Sequence, residues 1–251
     1  MKDNLVSIIM PCYNSARYVA QSIESVLAQT YTEWELLITD DCSSDNSVEI
    51  IQNYCDKDKR INLLVSEKNQ GIAKTRNLSI ARANGRFVAF LDSDDLWMPE
   101  KLERQVGFML ENDCAFTYTS YKLIDYQGVD KNKIIRTAGV LNYKKYSRNT
   151  IIGCGTVMLD RKIVGDFAMP AYDTSEDMAL WLNVMHKGFN AFPLDEPLQK
   201  YRVTKNSASS KKLKAASDVW RVYRKHEKMP WLKAVFCFSC YTFNAVKKRL
   251  F

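Results

Sequence analysis

Glycine is scarce in this chain, nine residues in 251, and none builds a G-x-x-x-x-G-K-[ST] or a G-x-G-x-x-G. Both the P-loop and the dinucleotide fingerprint need glycine turns against phosphate, so neither reading gains support. Histidine is rarer still. His186 precedes "KGF" near a helix end and His226 lies in a basic segment. Neither has a Ser or Cys partner in view, so triad chemistry lacks its signature. No stretch of about 18 uncharged apolar residues occurs, and no spanning helix is expected. The apolar run in "MKDNLVSIIMPCYN" is too short and too broken for a secretory signal. No segment is repeated or of low complexity, and none reads as disordered. Seven cysteines, an odd number, are scattered through the chain. That fits reduced thiols better than a disulfide framework. Cys237 and Cys240 form a CxxC in an apolar helical run, without a second pair or a nearby His, and read as packing.

What is present is a core and a lopsided charge. The chain is 46% hydrophobic, enough for one or two domains. Residues 200–251 hold fourteen Lys and Arg against Asp218 and Glu227, a net +12, so the whole-chain +7 leaves −5 on the remainder. The basic character therefore describes a partner of the tail.

"LVSIIMP" is a β-branched run ending at proline, a strand. In "SARYVAQSIESVLAQT", Tyr18, Val19, Ile23, Val26 and Leu27 recur at helical spacing, with Ser15 placed to cap. "WELLITDD" reads as a second strand and "INLLVSE" as a third, with Asp45 capping the helix "NSVEIIQNYCD" between them. "GIAKTRNLSIARAN" reads as a helix and "RFVAFLD" as a fourth strand. The alternation predicts an α/β fold with a mostly parallel, doubly wound sheet covered on both faces. Ligands of such sheets bind beyond the carboxyl ends of the strands. The polar residues there are Tyr13, Asn14, Asp40, Asp41 and Asp92 to Asp95. Downstream, Pro99 is placed in the first turn of the helix "PEKLERQVGFMLEN". "CAFTYTSYKLID" reads as a strand, and 126–150 is polar and poorly patterned. "GTVMLDRKIV" reads as a strand leading to a helix start, "SEDMALWLNVMHKGF" as a helix and "AFPLDEPLQKYRV" as extended. Two helical segments, near 210–228 and 231–250, close the chain.

Asp92 and Asp94 end an apolar strand two residues apart, so both can reach one hard cation. Mg²⁺ or Mn²⁺ held there would neutralise a diphosphate leaving group. The simpler reading is a capped turn; the setting among other polar strand ends favours the metal. Asp41 can accept the imide N–H of a uracil or serve a turn in "DDCSSD", and Tyr13 offers a face for a base. Arg76 can reach a nucleotide or phosphate, or be a solvated helix charge. Glu176 and Asp177 open a helix, where acids suit the dipole; a carboxylate there can also deprotonate an acceptor hydroxyl.

In order and spacing, "VSIIMPCYN", "SIESVLAQTYTEWELLITDDCSSDNS", "NQGIAKTRNLSIARANGRFVAFLDSDDLWMPEKL" and "SEDMALWL" resemble the family 2 inverting glycosyltransferases, over roughly residues 5–210. The likeness is to bacterial members that build O-antigen, capsule or teichuronic-type polysaccharides. It implies a GT-A domain over 1–210, with a nucleotide-binding half 1–97 and an acceptor half 98–210, followed by a tail 211–251. It implies that Pro11, Tyr13 and Asn14 cradle the nucleotide, that Asp41 reads uracil, and that Asn69, Arg76 and Ser93 add nucleotide contacts. Asp92 and Asp94 match the D-x-D that binds the diphosphate and Mn²⁺ or Mg²⁺. Asp177 matches the catalytic base, with Glu176 orienting or contacting the acceptor. Arg202 and Ser207 fall in a segment that closes over the diphosphate. Some relatives carry a histidine near Lys205; this chain has none there, which leaves one contact to metal or phosphate unassigned. The Q-x-x-R-W of processive synthases is missing, so one sugar per encounter is implied. The implied reaction is a single displacement from a UDP-sugar (UDP-Glc, UDP-Gal or an N-acetyl form) onto a sugar acceptor linked to undecaprenyl diphosphate, giving a β-glycoside.

In the tail, Trp231, Leu232, Val235, Phe236, Phe243, Val246 and Leu250 share one helical face. Lys211, Lys212, Lys214, Arg221, Arg224, Lys225, Lys247, Lys248 and Arg249 frame it. That pattern is expected of an in-plane anchor on an anionic membrane surface, each basic residue contributing about 1 kcal/mol. The expected location is cytoplasmic, peripheral on the inner face of the bacterial plasma membrane. The alternative packs these helices back on the catalytic domain. A sugar nucleotidyltransferase would call for a Gly-rich basic first loop, which "PCYNSARY" is not. Nucleic-acid binding through the tail needs aromatics among the bases, whereas here they cluster on an apolar face, so no nucleic acid is expected. A non-catalytic lectin-like domain is disfavoured because every expected acid is present.

Overall fold

The structure, a computed structural model, describes residues 1–172, 175–204 and 212–250; the side chains of 212, 213 and 246–250, and the candidate contact Ser207, lie outside the described residues. The chain begins with β1 (Lys2–Cys12), α1 (Val19–Leu27), β2 (Trp34–Asp40), α2 (Ser47–Lys57), β3 (Ile61–Val65), α3 (Ile72–Arg82) and β4 (Gly85–Phe90). The four strands pair in parallel in the order β3-β2-β1-β4.

Their side chains alternate between two faces, and both faces are buried. Val6, Ile8 and Met10 join Leu36, Ile38, Phe87 and Ala89 in one cluster with Val19, Ile23, Val26 and Ile51 from the helices. Ile9, Leu37, Val88 and Phe90 join Ala73 and Ile80 in the other. This is why the strands read as near-continuous apolar runs. Each fully buried Ile, Val, Leu or Phe contributes about 1.5–3 kcal/mol. A Cβ at Gly85 would sit 2.4 Å from the Leu5 carbonyl oxygen, so only glycine lets β4 start this close to β1.

The second half runs β5 (Leu96–Trp97), α4 (Lys101–Glu111), β6 (Phe116–Ile124), β7 (Asp130–Ile135), α5 (Tyr143–Tyr146), β8 (Val157–Asp160), α6 (Arg161–Val164), α7 (Glu176–His186) and β9 (Phe192–Arg202). The sheet continues β4-β8-β6-β9-β5, with β7 on β6. β8 lies antiparallel between β4 and β6, while β6 and β9 are parallel. The sheet is thus parallel through its first four strands and mixed beyond them.

Several local expectations need correction. Ser15 does not cap α1; its hydroxyl bonds the Ser93 hydroxyl at 2.7 Å. Pro99 precedes the helix, which starts at Lys101. The unpatterned stretch 126–150 contains β7, whose residues are mostly exposed and therefore mostly polar, and the short α5.

The tail forms α8 (Lys212–Arg221), a π-helical turn over Val222–His226 and α9 (Trp231–Leu250). Val219, Val222, Tyr223, Ala234 and Cys237 are buried in the same cluster as α7. The Tyr223 hydroxyl donates to the Ser147 carbonyl at 2.7 Å. The tail therefore packs on the domain, yet Trp231, Leu232, Val235, Phe236 and Phe243 take no part in that burial. No helix among the described residues is long and apolar enough to cross a membrane. All seven cysteines are free thiols.

Candidate active site

Three parallel strands deliver their polar ends to one edge. Pro11, near the end of β1, is buried, while Tyr13 and Asn14 just beyond the strand are exposed. Asn14 adopts φ 48°, a left-handed conformation that Asn tolerates. Its backbone N–H donates to the Ser43 hydroxyl at 2.8 Å, and its Oδ1 accepts from the Ser44 N–H at 2.8 Å. The loop after β2 is thereby tied to the loop after β1. Asp41, at the end of β2, is buried and accepts the backbone N–H groups of Gln70 and Gly71 at 2.8 and 2.9 Å. Those groups lead into α3, whose N-terminus favours negative charge. Asn69 is exposed beside them.

The acids after β4 have different partners. Asp92 Oδ1 lies 2.5 Å from Arg76 Nη2. The other guanidinium nitrogen, Nη1, pairs with Glu176 at the start of α7. Arg76 is 2% exposed, so it is no solvated helix charge. It is a buried cation joining the two halves of the chain. Burial still outweighs that cation at Glu176, and pushes its carboxyl up to about 7. Burial and the neighbouring Asp92 charge push Asp94 up to about 6.

Asp95 is a clamp rather than a ligand. Its carboxylate is buried and accepts Gln199 Nε2 at 2.6 Å and the Arg202 N–H at 2.8 Å. Arg202 lies behind the acidic loop, 1% exposed. Its Nε donates to the Asp94 carbonyl at 2.7 Å, its Nη2 donates to Gln21 Oε1 at 2.8 Å, and its guanidinium stacks 4.6 Å from the Tyr18 ring centroid. Its place is thus to hold the loop's shape. Nothing in the sequence separates this buried arginine from an exposed one.

Asp92, Arg76, Glu176 and Asp177 line one cleft of about 930 Å³. Asp177 is half-buried and accepts the Met178 N–H at 2.6 Å. Burial raises its pKa, opposed by Arg76 and by that N–H and reinforced by Asp92. Tyr121, Tyr201 and Gln199 from the sheet add to the lining, as do Tyr241, Asn244 and Ala245 of α9. Sequence reasoning missed this wall, because it assigned the tail to a surface.

Among the described residues no cluster of three His, Cys, Asp or Glu is arranged for a metal. The donor set that does exist, two strand-end carboxylates with the Asp94 pKa raised by burial and by the Asp92 charge, suits a hard cation that draws its other oxygens from phosphate.

The fold is the GT-A fold of glycosyltransferases. A crystal structure of S. aureus TarS 1-349 in complex with UDP-GlcNAc superposes with a TM-score of 0.69 at 22% identity, covering 87% of this chain and 64% of that one. The mannosyltransferase PcManGT from Pyrobaculum calidifontis, in complex with GDP-Man and Mn²⁺, gives 0.73 at 17% identity, over 93% and 69% of the two chains. The chain belongs to glycosyl transferase family 2, whose model matches residues 7–166. A Bacillus subtilis protein named for teichuronic acid biosynthesis, the glycosyltransferase TuaG, is 47% identical over 98% of each chain. The Escherichia coli UDP-Glc:alpha-D-GlcNAc-diphosphoundecaprenol beta-1,3-glucosyltransferase WfgD is 39% identical over 100% of this chain and 97% of its own.

Proposed function

We propose that this enzyme is an inverting glycosyltransferase of bacterial surface-polysaccharide synthesis. It moves one hexose from a UDP-sugar to a sugar carried on undecaprenyl diphosphate. UDP-glucose is the favoured donor, because WfgD is named for it at 39% identity across the whole chain. The observation that carries the mechanism is Asp177. It is the cleft carboxylate that neither joins the Arg76 ion pairs, as Asp92 and Glu176 do, nor is clamped by Gln199 and Arg202, as Asp95 is.

Asp177 accepts the proton of the acceptor hydroxyl as that oxygen attacks the anomeric carbon. The UDP oxygen leaves from the opposite face, so an α-linked donor gives a β-glycoside. A pKa raised by burial makes Asp177 a stronger base than a solvated carboxylate. Glu176 fixes Arg76, and Arg76 fixes Asp92. Tyr13, exposed at the strand edge, stacks on the base; Pro11, Asn14, Asp41, Asn69 and Ser93 complete the nucleotide side. Asp92 and Asp94 would hold Mn²⁺ or Mg²⁺, which supplies positive charge to the leaving diphosphate. The acceptor places the enzyme at the inner face of the plasma membrane, with the basic tail as its contact.

The test uses UDP-[¹³C]glucose, Mn²⁺ and α-GlcNAc-diphosphoundecaprenol. Asp177→Asn should lower turnover by about 10²–10⁴-fold while UDP affinity stays within twofold, and the wild-type product should be β by NMR. Full turnover by Asp177→Asn, or an α product, refutes the assignment.

A further inference from the structure

The helix α9 has two faces that do different things. Its inner face buries Ala234 and Cys237 and lines the cleft with Tyr241, Asn244 and Ala245. Asn244 Nδ2 also donates to the Arg148 carbonyl at 3.0 Å, which fixes the helix against the cleft loop. Its outer face carries Leu232 at 83% exposure, Phe243 at 70%, Phe236 at 51% and Val235 at 40%. Steps of three and four residues from Leu232 and of seven from Phe236 to Phe243 put them on one helical stripe.

Positive charge surrounds that stripe. The Arg148 guanidinium lies 4.9 Å from the Phe236 ring centroid, and that of Arg224 lies 5.7 Å from Trp231. Lys144, Lys145, Lys225, Lys228 and Lys233 are exposed. The tail's two acids do not offset them: Asp218 pairs with Arg221, and Glu227 accepts the Tyr143 hydroxyl and faces His186. An apolar stripe framed by uncompensated cations matches an anionic bilayer, which offers acyl chains below and negative headgroups around.

We infer that the outer face of α9 lies in the interface of an anionic bilayer while its inner face walls the acceptor cleft, so that a lipid-linked acceptor passes from the membrane into the cleft along this one helix. This rests on the lipid-linked acceptor proposed above. Lys133 and Arg136 also line the cleft, Arg136 with its guanidinium 3.3 Å from Asp195 Oδ2.

The first arm of the test is binding. Full-length protein is sedimented with phosphatidylcholine vesicles that contain or lack phosphatidylglycerol. Wild type should pellet only with phosphatidylglycerol, and raised salt should release it. Phe236→Ser/Phe243→Ser, both at exposed positions that leave the core intact, should pellet at least tenfold less. Equal pelleting of wild type and variant, or no pelleting of either, overturns the inference. Self-association of wild type that the variant loses, without lipid binding, assigns the face to a second copy and also overturns it.

The second arm is transfer. The variant should be at least tenfold slower on α-GlcNAc-diphosphoundecaprenol in vesicles and unchanged on the same GlcNAc diphosphate carrying a short soluble alkyl chain. An equal loss on both overturns the shared-helix route. Should wild type use neither acceptor, the proposed acceptor fails, and vesicle binding still decides whether α9 meets lipid.

Discussion

Replacing Arg76 by methionine removes the one cation shared by Asp92 and Glu176. The side chain is 2% exposed and its Glu176 partner is buried, so solvent cannot substitute for the lost charge. Removing one partner of a buried pair costs about 3–5 kcal/mol, because the other charge is left uncompensated. The Asp92 contact contributes less, since that carboxylate is 30% exposed and partly screened. The cost must depend on pH. Glu176 titrates near 7 even beside Arg76, so its folded-state pKa lies above its unfolded one and ionisation in the fold is disfavoured as pH rises. Without the arginine its pKa rises further. At pH 5.5 Glu176 is protonated and needs no counterion, so the loss should shrink to roughly 1–2 kcal/mol, that of truncated contacts and hydrogen bonds. At pH 8, one unit above the Glu176 value, the variant's Glu176 must stay protonated, so the loss should be larger by about 1.4 kcal/mol, a further fall in Tm of about 3–6 °C at 2–4 °C per kcal/mol for a chain of this size. Thermal melts at the two pH values measure the difference. Glu176→Gln added to Arg76→Met should recover a large part of the pH 8 loss, since neighbours in one network couple by about 0.5–3 kcal/mol. A penalty equal at both pH values, with Glu176→Gln making matters worse, would refute the view of Arg76 as a buried counterion.

Other outcomes follow from the same geometry. Asp94 must lose a proton held up to about 6 before it can ligate, so Mn²⁺ affinity by calorimetry should rise by up to about tenfold per pH unit below that value and then level off; Asp94→Asn should flatten the curve, and a wild-type affinity constant from pH 5 to 7 contradicts this. Lys101 is fully buried, with Nζ 2.5 Å from Gln105 Oε1 and 4.1 Å from the Trp97 ring centroid, and burial lowers its pKa to about 7. Its folded pKa lies below its unfolded one, so the stability it costs near neutral pH is regained as pH rises from about 7 towards 10.5. Lys101→Met should therefore stabilise by roughly 1–3 kcal/mol at pH 7 and by less at pH 9.5, and an equal gain in urea titrations at both pH values contradicts the reasoning. A Cβ at Gly155 would lie 2.5 Å from Gln199 Nε2, the group that holds Asp95. Gly155→Ala should displace that side chain, cost about 1–3 kcal/mol because Asp95 keeps the Arg202 N–H and loses its other partner, and weaken UDP binding by isothermal titration; unchanged stability would mean Gln199 is not needed there.

The first four strands and the helices between them were legible because both sheet faces are buried. Val6, Ile8, Ile9 and Met10 give an unbroken apolar run that polar ends punctuate. The acids at those ends were legible by position, and their partners were not. Arg76 sits in "AKTRN", a polar stretch that reads as a wet helix face, and Glu176 lies 100 residues away. Arg202 likewise follows an ordinary extended stretch. β7 escaped notice because its mostly exposed residues need no alternation of apolar side chains. The tail's periodicity pointed to its large apolar face, whereas the face that packs is built from smaller residues, Ala234 and Cys237, that carry a weaker signal.

The acidic loop after β4 is completed late. Asp95 is held by Gln199 and Arg202, and among the described residues β5 pairs only with β9. During synthesis the loop therefore emerges about a hundred residues before its clamp, and its carboxylates wait for a distant segment of the same chain. A gene fragment ending after Trp97 would carry the four parallel strands β1 to β4 and still lack the groups that shape the acids at their edge. An enzyme assembled from the front of one relative and the back of another must take β9 from the same parent as the loop it fastens.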